Sequence, residues 1–217
     1  MVDLVPHAYP ARRFHAPRTG PARYIPSTPT PSSEADPEGL IPMPADLTGT
    51  FLRLGDGRPA LRFTRVHGHP VDRVWHFVTD PGELALWFPF RAEMDLRPGG
   101  TIAFRGETGA EEFTGTVLAV DPPRHLSFEW GGDELHFDLE ELDDRHTRLT
   151  LTDVLAAEDT AARNGAGWEV CLAALDARAR GERFEGPHAG VHAPWKGFYE
   201  AYVAAGVPSG APIPGED

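Results

Sequence analysis

Between residues 48 and 205 the hydrophobic positions follow two periods. Over His125–Trp130, Glu134–Leu142 and Arg145–Val154 they alternate. Leu126, Phe128 and Trp130 share one face, as do Leu135, Phe137 and Leu139, and then Leu149 and Leu151. Ser127, Glu129, His136, Asp138, Glu140, Arg148 and Thr150 take the other face. A period of two with one apolar side predicts an antiparallel sheet that is buried on one face and wet on the other. Arg91–Leu96, Thr101–Arg105 and Glu112–Val120 read as three more strands, and RPGG, GETGAE, DPPR, GGD and LDDRH supply the turns between them. Ahead of these, TGTFLRL and ALRFTRVH flank GDGRP, and the Asp56-Gly57 pair predicts a hairpin.

The second period is helical. Val71, Val74, Trp75 and Val78 recur at helix spacing after Pro70. In DPGELALWFPF, Asp80 reads as a cap, Pro81 as the first helical residue and Glu83 as the acid of the first turn. Leu84, Trp87 and Phe88 then share a face, and Pro89 ends the helix because it lacks an N–H. Residues 158–181 predict a long helix with Trp168, Cys171, Leu172 and Leu175 at i, i+3, i+4 and i+7, and Ala179 extends the stripe. A shorter helix follows in PWKGFYEAYVAAG. One long amphipathic helix against a curved antiparallel sheet is an α+β fold, and the space between the two layers is a natural ligand cavity. Gly165 and Gly167 in the long helix predict a bend or a close approach, since glycine costs about 1 kcal/mol against alanine in a helix.

Composition narrows the function. The chain has 217 residues, a net charge of -13 and one cysteine. The acidic balance speaks against nucleic acid and anionic membrane surfaces as partners. A single cysteine, Cys171, excludes an intrachain disulfide. No long apolar run is present and the N-terminus lacks a signal-type apolar core, which predicts a cytoplasmic protein. Lys196 is the single lysine among 20 basic residues, a bias that suits a bacterial genome rich in GC. Residues 1–47 are proline-rich and aperiodic and read as a disordered extension, with a docking arm for a protein partner as the alternative. Residues 48–205 form the expected domain, and 206–217 read as a disordered tail.

Several segments, in order, resemble one family. RVHGHPVDRVWHFVTDPGELALWFP is similar to the first strand and two-helix segment of the Hsp-90 ATPase activator homologue-like branch of the SRPBCC superfamily, the START and birch-pollen-allergen type. DLRPGGTIAF, VLAVDPPRHLSFEW, TRLTLT and GAGWEVCLAAL resemble its following strands and the start of its long helix. The resemblance covers about 61–180, with a weaker echo near Trp195–Tyr202. It implies a helix-grip fold, in which a curved antiparallel sheet wraps around a long C-terminal helix, with two short helices after the family's first strand. It also implies binding of a small hydrophobic molecule between sheet and helix. The alternatives within the superfamily are a polyketide cyclase or aromatase-like enzyme and an Hsp-90 co-chaperone-like, stress-response interaction protein. The separate chaperone-binding domain of the eukaryotic activators has no counterpart in the sequence.

The aromatic set is the constellation with most to say about a ligand. Trp75, Trp87, Phe88, Phe104, Phe113, Phe128, Trp130, Phe137 and Trp168, with Cys171 and Leu172, come from elements that would surround the cavity. His76 is the polar candidate beside it. His67 and His69 could begin a metal site but lack an identifiable third ligand and read as a strand end, and His188 and His192, four apart, sit among glycines and prolines that read as loop. Cys171 sits on the apolar stripe with no base to lower its pKa, so it reads as core. No phosphate loop, dinucleotide fingerprint, nucleophile elbow or CxxC is present, so no metal or cofactor is expected.

Overall fold

The computed structural model describes residues 47–106, 112–182 and 192–213. Eight strands form one antiparallel sheet: β1 (Thr50–Arg53), β2 (Pro59–His67), β3 (Arg91–Met94), β4 (Thr101–Arg105), β5 (Glu112–Asp121), β6 (His125–Trp130), β7 (Asp133–Asp143) and β8 (His146–Val154). Their spatial order is β1-β2-β8-β7-β6-β5-β4-β3. The chain therefore builds a meander from β3 to β8 and lays β2 against β8, so that the β1–β2 hairpin joins the last strand.

The local reasons are those the pattern predicts. Gly57 has a φ of 85°, which closes the β1–β2 hairpin. Asp80 accepts hydrogen bonds from the backbone N–H groups of Gly82 and Glu83 at 2.9 and 3.0 Å, capping α2 (Pro81–Leu84). Leu84, Trp87 and Phe88 all turn inward and are at most 1% exposed. Trp87 donates its indole N–H to the Phe77 carbonyl at 2.9 Å, so its one polar atom is satisfied inside the core. In α1 (Val71–Thr79) the buried face is Val74, Phe77 and Val78, while Trp75 is half-buried beside it.

Helix α3 (Ala161–Ala179) follows a 3-10 turn at Glu158–Thr160 and crosses the inner face of the sheet. Its 19 residues span about 28 Å at ~1.5 Å per residue. Trp168, Cys171, Leu172 and Leu175 are all buried, as the stripe requires. Helix α4 (His192–Ala204) packs on α3, and Gly165 is the reason it can. A Cβ there would stand 3.0 Å from the Tyr202 ring. Gly115 plays a similar part in the sheet, where a Cβ would lie 2.2 Å from the Glu129 carbonyl. Residues 206–213, expected as part of a disordered tail, are held instead by hydrogen bonds. Ala162 donates to the Pro208 carbonyl, Ala211 to that of Asp159, and the Arg163 guanidinium to that of Pro212.

Candidate functional site

The inner face of the sheet carries a continuous cluster of rings. Phe88, which follows α2, lies 4.9 Å from Trp130, 5.8 Å from Trp168, 6.3 Å from Phe104 and 6.3 Å from Phe128, between ring centroids. Phe104 stacks on Phe113 at 4.9 Å and meets Trp130 edge-on at 4.9 Å. Phe90 closes on Phe113 and Trp130 at 5.3 and 5.2 Å. The cluster changes character along its length. Trp87, Phe88, Phe104, Phe128 and Phe137 are buried, whereas Phe90, Phe113 and Trp130 keep part of their surface in solvent. Beside the open end, β4 and β5 border a recess of about 370 Å³ lined by Ala103, Phe104, Arg105, Glu112, Phe113 and Thr114.

At the closed end stands an acid. Period two along β8 places Thr147, Leu149, Leu151 and Asp153 on the same inner face, and all four are buried. Asp153 is flanked in the sheet by Leu61 of β2 and Leu135 of β7, and none of the three is exposed. From α3, Trp168 donates its indole N–H to Asp153 Oδ2 at 2.9 Å, and Asn164 donates to the same oxygen at 3.3 Å. Oδ1 has no hydrogen-bond partner among the described residues. Asn164 also donates to Asp133 Oδ2 at 2.9 Å, and Asp133 Oδ1 caps the Ala156 N–H at 2.7 Å. Burial first, and then the charge of Asp133, push the Asp153 carboxyl up to about 7, against the pull of its two donors. Burial raises Asp133 as well.

Glu83 and His69 are tied down by hydrogen bonds, whereas buried His67 keeps Nε2 without a partner among the described residues. Glu83 is chelated by Arg178 at 2.8 and 3.0 Å and by Arg73 at 3.0 Å, tying α2 to the last turns of α3. Burial works against its charge, but the two arginines outweigh that and hold its pKa below the usual range. His69 bonds the Ala179 carbonyl at 2.7 Å, and His67 lies 3.9 Å from Asp176 with its pKa lowered by burial. The His-Gly-His pair therefore fixes the end of β2 to α3. Among the described residues no group of three or more His, Cys, Asp or Glu is placed to hold a metal ion.

The outer face carries a hydrogen-bond relay in which Asp138 Oδ1 is 2.7 Å from His125 Nδ1 and His125 Nε2 is 3.2 Å from Ser127 Oγ. Acyl transfer by such a trio needs backbone donors aimed at a developing oxyanion. Ser127 instead sits in a central strand, paired with Ala119 on one side and His136 on the other, and is 2% exposed. The relay satisfies the serine hydroxyl and offers no site for an acyl group.

Of the residues singled out from sequence, Phe88, Phe104, Phe113, Phe128, Trp130 and Trp168 come together in the ring cluster, joined by Trp87 and Phe137 through Phe88 and Phe128. Cys171 and Leu172 lie in the same core, and burial pushes the Cys171 thiol up to about 12, far from a nucleophile. Trp75 packs at the margin. His76 is a correction: it is exposed on α1, 3.9 Å from Asp80, because it follows the half-buried Trp75 around to the solvent side. His188 lies outside the described residues, and nothing is described of the His192 side chain. Asp153, an acid on the inner face, was missed. Its signal was present, since it extends the Leu149, Leu151 alternation by one step.

A long helix gripped by a curved antiparallel sheet is the helix-grip architecture. Residues 68–180 match the family model described as Activator of Hsp90 ATPase homolog 1-like protein. The chain belongs to that family, within the SRPBCC superfamily. Among solved structures it is similar to CalU16 from Micromonospora echinospora, with 28% identity over 71% of this chain and 93% of that one and a TM-score of 0.56. A protein of Bordetella parapertussis shows 25% identity over 68% of this chain and 84% of that one, with a TM-score of 0.53. DynU16, described as a protein in the dynemicin biosynthetic locus, shows 25% identity over 58% of this chain and 50% of that one, with a TM-score of 0.50. No curated protein matches the chain.

Proposed function

We propose that the protein binds a small, largely apolar molecule against the inner ring cluster. The observation that carries this reading is the gradation of the cluster from buried Phe88 and Phe104 to part-exposed Phe90, Phe113 and Trp130. Rings that only fill a core have no need to reach solvent, whereas a binding wall must be open at one end. Aromatic faces also suit flat, unsaturated ligands, which stack or meet them edge-on. The origin of DynU16 in a biosynthetic locus fits a small-molecule cargo.

A cyclase-like or aromatase-like activity is the second reading, and one observation favours it. Asp153 is an inward-facing acid that keeps its proton to about pH 7, the property a general acid needs near neutrality.

The direct test is a thermal-shift and equilibrium-dialysis panel of fatty acids, naphthalene and anthraquinone derivatives on the full chain. A ligand that binds only the folded state raises Tm. Trp130→Ala, a change at the open end, is expected to abolish the shift while leaving the fold intact by circular dichroism. A panel with no binder, or binding untouched by Trp130→Ala and Phe113→Ala, would overturn the reading.

A further inference from the structure

Resting on that reading, we propose that Asp153 is the polar anchor of the ligand, which is therefore an aromatic or polycyclic molecule bearing a ketone or a phenolic hydroxyl at its inner end. Three observations converge. Asp153 is fully buried on the inner face, between Leu61 and Leu135, yet Oδ1 has no hydrogen-bond partner among the described residues. Unpaired polar atoms at such depth are costly and uncommon in folded proteins. The fold is able to saturate a buried acid, as it does at Glu169, and among the described carboxylates Asp153 is the one with a buried oxygen left unbonded, His67 Nε2 being the other unpartnered buried side-chain atom. Finally, the acid is wired to the rings: its donor Trp168 lies 5.8 Å from Phe88, which lies 4.9 Å from part-exposed Trp130. A flat ligand entering at Trp130 and displacing the Phe88–Trp168 contact would bring its leading edge to Oδ1.

The class of group follows from the charges that face the acid. Asp133 on β7 is the titratable neighbour, Arg163 acts on Asp133 from α3, and Asn164 and Trp168 are neutral donors to Oδ2. With Asp133 beside it, Asp153 keeps its proton to about pH 7. In that state Oδ1 either donates to a carbonyl or accepts from a hydroxyl. Once ionised it accepts only, so a ketone loses its partner and a phenol does not.

The test uses three probes of similar shape on the full chain: 2-acetonaphthone, 2-naphthol and 2-ethylnaphthalene, measured by equilibrium dialysis at pH 6 and pH 8. At pH 6 the ketone and the phenol are expected to bind about fivefold more tightly than the ethyl compound, the effect of one added hydrogen bond. At pH 8 the ketone's advantage shrinks and the phenol's persists. Asp153→Leu is expected to level the three probes while still binding 2-ethylnaphthalene. Asp153→Asn, which keeps the shape and a hydrogen-bonding group, is expected to keep the preference and lose its pH dependence. Equal binding of the three probes to the unaltered protein, or a ketone preference surviving in Asp153→Leu, overturns the anchor and leaves the binding function standing. A pH-dependent ketone preference in Asp153→Asn overturns it too, and decides the matter if Asp153→Leu fails to fold. Binding of none of the probes overturns both the anchor and the apolar-ligand reading beneath it.

Discussion

Glu169 and Asp153 are both carboxylates with almost no exposure, and both lie where α3 meets the rest of the domain. Glu169 is saturated. Its Oε1 accepts from the N–H groups of Thr48 and Gly49 at 2.7 and 3.0 Å and from the Tyr202 hydroxyl at 2.8 Å, and its Oε2 accepts from the Thr48 hydroxyl at 2.6 Å. Arg65 stands 3.6 Å away as a counter-charge. Among the described residues, Asp153 has two donors on one oxygen and none on the other, and an acid rather than a base as its charged neighbour. The first acid joins the start of the domain, α3 and α4 into one unit. The second leaves a polar atom facing an apolar interior. Glu169 shows what a fully bonded buried acid looks like in this protein, and the bonding of Asp153 is incomplete beside it.

The contrast is open to measurement. The largest effect is expected for Glu169→Ala, which strands the donors of Thr48, Gly49 and Tyr202 and the charge of Arg65. A loss of about 3–5 kcal/mol in urea unfolding is expected, the usual cost of breaking a buried charged network. If this variant unfolds like the unaltered protein, Glu169 is no joint and the comparison collapses. Gly165→Ala sharpens the same side, because a methyl group there meets the Tyr202 ring at 3.0 Å. It should cost about 1–3 kcal/mol by thermal unfolding, through overpacking rather than lost hydrogen bonds.

Asp153→Asn tests the other side through pH. The folded-state pKa of Asp153 lies above its unfolded value of about 3.8, so between about pH 4 and pH 7 the unfolded chain gives up the proton and the folded chain keeps it. Stability from this group therefore falls as pH rises through that window and levels off above it. Asp153→Asn should remove that slope, changing the pH 4 to pH 7 difference in unfolding free energy by about 3 kcal/mol. An unchanged slope would mean that Asp153 titrates normally. The smallest effect is expected for His76→Ala. Its exposed pair with Asp80 should contribute less than about 0.5 kcal/mol, and ligand binding should not change.

Much of the architecture is legible in the chain because it is written at short range. The Asp80 cap, the Pro81 start and the inward turn of Leu84, Trp87 and Phe88 involve residues within eight positions of one another. The strands from His125 to Val154 follow from alternation, and Thr101–Arg105 and His125–Trp130 occur with the expected bounds. The face of α1 was less legible. Val71, Val74, Trp75 and Val78 and the alternative Val74, Phe77 and Val78 are both helical stripes, and the packing of α1 against the sheet selected the second. The docking of residues 206–213 was illegible for a related reason. Their proline-rich composition is that of a solvated segment, and they are held by backbone groups of Asp159 and Ala162 that the sequence does not mark.

The amino-acid sequence by itself determined the kinds of element, their order and, along the strands, which side chains turn inward, Asp153 included, because helical and strand periods act between near neighbours. The tertiary structure decided which inward polar groups are completed. Glu169 is satisfied by Thr48 and Gly49, 121 and 120 residues earlier, and by Tyr202, 33 residues later. The partners of Asp153, at Asn164 and Trp168, reach only one of its oxygens. Hydrogen bonds depend on distance and angle in space, and those are set only when the strands and α3 have closed on one another.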